Sequence, residues 1–232
     1  MAAVLILCCD LRSSNSDDFS PSPKADTLNI KNKCSYRVAP VIAPKPGSQP
    51  LSFTPVELKG YEYALGIPVP HGWSGRIWGR TDCTTDDSGK FTCATGDCGS
   101  GRLECGGGGP APAATVAELA LGGKGGGADA YGISLADGYN LPILVAPYET
   151  SQGGGGHCTP MRCVVDLDAA CPPEQQVKAS GGRVVACKAG NSESLKKACP
   201  EAAASGGFSC AVVDNTYTVT FCPDSSELDP RY

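Results

Sequence analysis

The reactive side chains that dominate this 232-residue chain are its 14 cysteines. A thiol can ligate a metal, attack an electrophile or cross-link, and spacing helps to separate these options. Outside an N-terminal pair, the close spacings are Cys93 to Cys98 and Cys158 to Cys163, with four residues between in each, and the only histidines are His71 and His157. No Cys-x-x-Cys occurs, so the set does not fit the usual zinc spacings and no metal is expected. So many thiols would be a liability in a reducing cytosol, whereas an oxidising compartment turns them into cross-links. Cys8 and Cys9 sit in an apolar N-terminal run; setting them aside leaves twelve, the even number that a full disulfide set needs. Spacing alone does not choose the pairing from the many available.

Other chemistries find less support. Gly106 to Gly109, Gly122 to Gly127 and Gly153 to Gly156 are glycine-rich, but none runs into Lys-Ser or Lys-Thr, so they read as flexible connections and not as phosphate cradles. The formal net charge is −5 and no long basic run exists, which makes nucleic acid a poor partner. Ala2 to Cys9 is apolar but far too short to span a bilayer, and no Lys or Arg precedes it. Met1 to Cys9 therefore reads as an atypical signal peptide within a leader spanning 1–25, whose polar part, rich in Ser, Asp and Pro, reads as disordered. No later stretch reaches transmembrane length, so stable membrane insertion is not expected, and no cofactor is implied.

The elements that must position these side chains are short strands. Thirty glycines and 19 prolines indicate many turns and few long helices. Leu28 and Ile30 alternate with Asn29 and Lys31; Tyr217, Val219 and Phe221 alternate with Thr216, Thr218 and Thr220. Arg76 and Trp78 share a face opposite Ile77, and Ala117, Leu119 and Leu121 oppose Val116, Glu118 and Ala120. The same period places Ile133, Leu135 and Asp137 on one face. Several short strands separated by turn signals predict an antiparallel sandwich. One short helix is expected over Ser192 to Ala198, with Lys196 and Lys197 in its last turn. Cys34 follows the first strand and Cys222 ends the last; a bridge between them would tie the domain's ends, worth roughly 5 kcal/mol in the chain-entropy model.

Gly89 to Cys105 reads GKFTCATGDCGSGRLEC, with Cys-x-Thr-Gly-Asp-Cys at its centre. This run resembles the signature of the thaumatin-like family of secreted plant defence proteins. NKCSYRV (Asn32 to Val38), GRIWGRTDC (Gly75 to Cys83), TVAELAL (Thr115 to Leu121), ISLADGYNLP (Ile133 to Pro142) and YTVTFCP (Tyr217 to Pro223) agree in order, so the resemblance covers about Asp26 to Pro223. It implies a mostly β fold: a flattened antiparallel sandwich over 26–224, a looped hairpin lobe at 83–109 and a disulfide-rich lobe at 158–205, with 225–232 as a tail. It also implies the pairs Cys34–Cys222, Cys83–Cys93, Cys98–Cys105, Cys158–Cys210, Cys163–Cys199 and Cys171–Cys187. Family members usually carry four more cysteines between the positions matching Cys187 and Cys199; here that stretch has none, so the disulfide-rich lobe should be smaller.

The family's cleft between sandwich and disulfide-rich lobe is acidic and is associated with antifungal action and β-1,3-glucan binding, with weak hydrolysis in some members. Its pattern is one Arg, one Glu and three Asp. The resemblance places Arg76, Glu118 and Asp137 there, with Tyr139 beside them, Gly132 where a further Asp is expected, and no counterpart for the last Asp; nearby Glu201 does not align. Glycoside hydrolysis needs a proton donor and a second carboxylate, which would be Glu118 and Asp137, with Arg76 orienting an acid or a sugar hydroxyl. Three structural readings stand beside these roles: Glu118 as a plain ion-pair partner of Arg76, Asp137 as the first residue of an Asp-Gly turn, and Trp78 as core. Trp73, Trp78 and Tyr139 are the aromatics available to stack on sugar rings. The implied protein is a secreted, apoplastic monomer that binds fungal wall β-glucan with weak or no hydrolysis. The alternatives are an inhibitor of a microbial hydrolase such as a xylanase, or a scaffold without cleft function.

Overall fold

The computed structural model describes residues 26–106, 108–122, 127–148, 158–189, 193–203, 208–210 and 216–227. The leader with Cys8 and Cys9, His157, the tracts at 123–126 and 153–156, the stretch at 204–207 and the end of the tail lie outside the described residues.

Two sheets enclose the core. One has five strands: β1 (Asp26–Asn32), β3 (Tyr63–Val69), β8 (Ile143–Tyr148), β9 (Met161–Cys163) and β13 (Thr216–Phe221). Their order is β3-β1-β13-β8-β9. The other has β2 (Ala39–Pro44), β4 (Ser74–Thr85), β6 (Val116–Ala120), β7 (Asp129–Ser134) and β12 (Phe208–Cys210), in the order β12-β7-β6-β4-β2. The alternation read from sequence is the inward face of these strands. Leu28, Ile30 and Val219 from the first sheet meet Ile77, Ala117, Leu119 and Ile133 from the second in one cluster. Each such Leu, Ile or Val side chain withdrawn from water contributes about 1.5–3 kcal/mol.

Among the described residues, β1 against β13 is the parallel pairing, from Thr27 beside Thr216 to Asn32 beside Phe221; the other pairs are antiparallel. Both strands run toward the Cys34–Cys222 disulfide, which joins residues 188 apart. Buried Asn32 organises this corner. Its amide nitrogen donates to the carbonyl oxygens of Tyr36, Leu58 and Lys59 at 2.9–3.0 Å, and its Oδ1 accepts from the Cys34 N–H. Backbone groups left unpaired where the strand ends are thereby satisfied.

The second half of β4 leaves the sheet and pairs with β5 (Phe91–Thr95), making a hairpin arm stapled by Cys83–Cys93, with Cys98–Cys105 in the loop beyond. The Gly96-Asp97-Cys98 run locks the arm's base. Gly96 has φ +66° and its carbonyl receives the Trp78 indole N–H, while Asp97 Oδ1 and Oδ2 accept from the N–H groups of Gly99 and Cys93. Arg80, buried in the sheet, donates to the Leu103 carbonyl at 2.5 Å and stacks over Phe91, 5.0 Å from the ring centre.

The remaining lobe follows β9. It holds α1 (Leu167–Ala170), a 3-10 turn, a hairpin of β10 (Gln176–Lys178) with β11 (Val184–Cys187), then α2 (Glu193–Ala198) and α3 (Pro200–Ala203). Helix α2 is the helix expected from the sequence, less Ser192, which is outside the described residues. Cys163–Cys199 and Cys171–Cys187 staple this lobe. The five described disulfides are five of the six implied pairs. Cys158 is disulfide-bonded as well, and the Cys210 side chain lies outside the described residues.

One strand reading is corrected. Ile133, Leu135 and Asp137 do not share a strand face, because β7 ends at Ser134. The chain then turns, with the Gly138 N–H donating to the Leu135 carbonyl at 2.9 Å. The Asp-Gly turn signal outweighs the alternation: Gly138 has φ +94°, and a Cβ there would lie 2.3 Å from the Cys187 carbonyl oxygen.

Candidate functional site

Strand register builds the site. Arg76 on β4 pairs with Glu118 on β6, and Glu118 pairs with Gly132 on β7. Directly paired residues point to the same face, and Ile77, Ala117 and Ile133 take the core side. Arg76, Glu118 and Gly132 therefore form one rung on the face away from the core. Asp137 reaches this rung from the turn after β7. Its position is fixed by that turn, by the Ala114 N–H donating to its carbonyl at 3.1 Å, and by the paired backbone bonds of Tyr139 and Cys187 at 2.7 and 2.9 Å.

Arg76 joins the two acids. Its Nη2 donates to Asp137 Oδ2, and its Nε lies 4.0 Å from Glu118 Oε1. The guanidinium sits 6.0 Å from the Trp78 ring centre. A second cation completes the cluster: Lys45, just past the end of β2, puts its Nζ 2.6 Å from Glu118 Oε2. Lys45 is held by its own N–H donating to the Ser74 carbonyl. Both oxygens of Glu118 thus face cations, and two acids balance two bases. The side chains of Arg76, Glu118 and Asp137 are 27, 36 and 33% exposed, so solvent screens the pairs and each is worth no more than about 1 kcal/mol.

Sequence reasoning missed Lys45. Nothing in its local spacing marks it; only the β2–β4 register, with Ala43 beside Arg76, carries it to Glu118. Other expected residues go elsewhere. Tyr139 is not a stacking surface: its ring is 1% exposed, and its hydroxyl accepts the Val165 N–H at 3.0 Å. Burial pushes its phenol pKa upward. Trp73 and Trp78 are buried too, with indole N–H groups donating to the carbonyls of Gln49 and Gly96. Glu201 accepts the Arg162 N–H at 2.8 Å, tying α3 to β9, and among the described residues it forms no ion pair with Arg76.

Chemically, the rung offers carboxylate acceptors, guanidinium and ammonium donors, and a half-buried glycine, Gly132, in place of a further side chain. That set suits hydrogen bonding to hydroxyls. Glu118 Oε2 is hydrogen-bonded to Lys45, while its Oε1, 4.0 Å from Arg76 Nε, is beyond hydrogen-bond distance.

Comparison with known proteins agrees with this architecture. The Thaumatin family model matches residues 32–199. Thaumatin-like protein 1 of Prunus persica is 47% identical over 174 residues, covering 73% of this chain and 67% of the relative. A Prunus avium protein named glucan endo-1,3-beta-glucosidase is 41% identical over 231 residues, covering 86% and 91%. Among solved structures, the thaumatin-like xylanase inhibitor TLXI shares the fold at TM-score 0.50 and 24% identity, covering 84% of this chain and 99% of that one. With the signature loop, the disulfide frame and these relatives in agreement, the chain belongs to the thaumatin family of plant defence proteins.

Proposed function

We propose that this chain is a secreted defence protein that binds fungal wall β-1,3-glucan through the groove containing Arg76, Glu118 and Asp137, with weak or no hydrolysis. The observation that carries the reading is the charge-balanced rung, in which Lys45 and Arg76 occupy Glu118 and Gly132 stands across from it. Such a rung hydrogen-bonds sugar hydroxyls but has no acid poised to cleave. A Prunus avium relative bears the name of a β-1,3-glucan hydrolase, which favours this glycan class. The disulfides favour an oxidising, extracellular setting, and no helix among the described residues is long and apolar enough to cross a membrane. The test is retention on insoluble β-1,3-glucan, with reducing-sugar release measured alongside. Retention that falls in Glu118→Gln, without sugar release by wild type, supports the reading; wild-type retention no better than that of an unrelated disulfide protein overturns it.

The second reading is inhibition of a microbial hydrolase. Its support is the sequence of the disulfide-rich lobe, where Lys188 to Ala198 carries none of the four cysteines that family members usually have there. A xylanase inhibition assay on the same preparation separates the two readings.

A further inference from the structure

A pocket of about 490 Å³ lies where β4, the segment 139–142, α1 and β11 meet, and its lining includes none of Lys45, Arg76, Glu118 or Asp137. Its walls carry Tyr36, Asp82, Tyr139, Asp166 and Arg183, over an apolar lining that includes Leu167 and Val185. We propose that this pocket is a second binding site, for a short neutral saccharide.

Four observations support the assignment. First, Tyr139 is almost wholly buried, and its hydroxyl accepts from Val165 but has no acceptor for its own proton among the described residues. A buried O–H of this kind normally finds a partner, and a pocket ligand supplies one. Second, Asp82 adopts φ +50° within β4, between the paired Thr81 and Cys83. A left-handed non-glycine residue inside a strand is costly, on the order of 1 kcal/mol or more. This conformation accompanies an Asp82 carboxylate at the pocket, 3.3 Å from Arg183 Nη2. Third, Asp166 Oδ1 caps α1 by accepting from the N–H groups of Asp168 and Ala169, and its Oδ2 has no partner among the described residues. Fourth, Tyr36 is half exposed at the pocket, and its phenol is pushed upward by burial and then by Asp82, with Arg183 opposing.

The ligand class follows from what these groups leave unpaired. Two carboxylates disfavour an anion. A wholly apolar guest would strip water from Asp82, Asp166 and Arg183 without replacing its hydrogen bonds. A cation would compete with Arg183 for Asp82. A pyranose ring satisfies all the groups: its hydroxyls donate to Asp82 and Asp166 and accept from Arg183 and the Tyr139 O–H, while its C–H face lies on Leu167 and Val185. The volume falls within the range of small-ligand pockets. The site stands independently of the glucan reading of the groove.

The experiment is a backbone-amide NMR titration of the full chain with a β-1,3-linked glucose disaccharide, and separately with a β-1,4-linked xylose disaccharide, to millimolar concentration. Saturable shifts are expected for at least one sugar at Asp82, Tyr139, Asp166 and Arg183. Exposed Arg183 can be changed without disturbing the core, and Arg183→Ala is expected to weaken binding at the pocket by about tenfold, with Tyr139→Phe also weaker. Absence of shifts at the pocket with both sugars, or wild-type affinity in Arg183→Ala, overturns the proposal. Shifts confined to Arg76, Glu118 and Asp137 overturn it too, while leaving the groove reading intact; shifts at the pocket alone do the reverse.

Discussion

Glu118 meets Lys45 more closely than it meets Arg76, its partner across the strands: 2.6 Å against 4.0 Å. Glu118 is therefore shared between a residue in its own sheet register and one beyond the end of β2, the next strand but one. Lys45 and Glu118 are each more than a third exposed, so their coupling should be small. A double-mutant cycle of Lys45→Met and Glu118→Gln, read by chemical denaturation, is expected to give roughly 0.2–1 kcal/mol, shrinking in high salt. A coupling of several kcal/mol that ignores salt would show a structural pair, at odds with the exposure of both side chains.

Gly132 faces Glu118 across the β6–β7 pairing. Gly132→Asp puts a like charge directly opposite, at a cost of roughly 0.2–1 kcal/mol in stability. It also supplies a third carboxylate beside Glu118 and Asp137, one that the cations do not already hold. Reducing-sugar release from β-1,3-glucan is expected to rise above wild type. Release equal to wild type at full folding would mean that the missing acid does not limit hydrolysis.

Removing the Cys34–Cys222 bridge as a pair, by substitution to Ala, is expected to cost about 3–5 kcal/mol, because it closes the longest loop among the described disulfides. Urea denaturation reads this directly. A cost below about 1 kcal/mol would show that Asn32 and the β1–β13 pairing hold the ends unaided.

Acid should loosen the same corner. Lys33 Nζ lies 2.7 Å from Asp224 and 3.0 Å from Glu227. The hydrogen bond from Lys33, with that from Ser226, holds the Asp224 carboxyl well below its ordinary 3.8. A depressed folded pKa means that the contribution is complete above the ordinary aspartate range and is lost as pH falls through and below it. Carboxyl-carbon NMR should show Asp224 titrating below ordinary aspartates, returning upward in Lys33→Met. An unchanged midpoint in that variant would remove Lys33 as the cause.

The alternating strands were legible because one face of each meets a single core; Leu28 with Ile30 and Tyr217 with Phe221 mark period two without ambiguity. The disulfide pairs were legible only through family resemblance, since spacing leaves many pairings open. Lys45 was hidden because cross-strand register is not local information. Asp137 was read on a strand face because alternation ran on past Ser134, although the adjacent Gly138 signalled the turn. Tyr139 was read as groove-lining because sequence shows which face a side chain takes but not how deep its ring lies. The saccharide pocket draws on residues from Tyr36 to Val185, a convergence that no window of sequence contains.

In the sheet order β3-β1-β13-β8-β9, the C-terminal strand occupies the middle. The first and last of the described strands must therefore be present together before the sheet has a centre. A chain growing from its N-terminus has β1 and β8 in hand but no strand to join them until residues 216–221 are made. Closure of this sheet is a late, long-range event of the kind that slows folding. A chain ending before Thr216 lacks more than one strand's hydrogen bonds: β1 and β8 each lose a neighbour. Residues 216–221 thus decide whether the strands before them become one sheet.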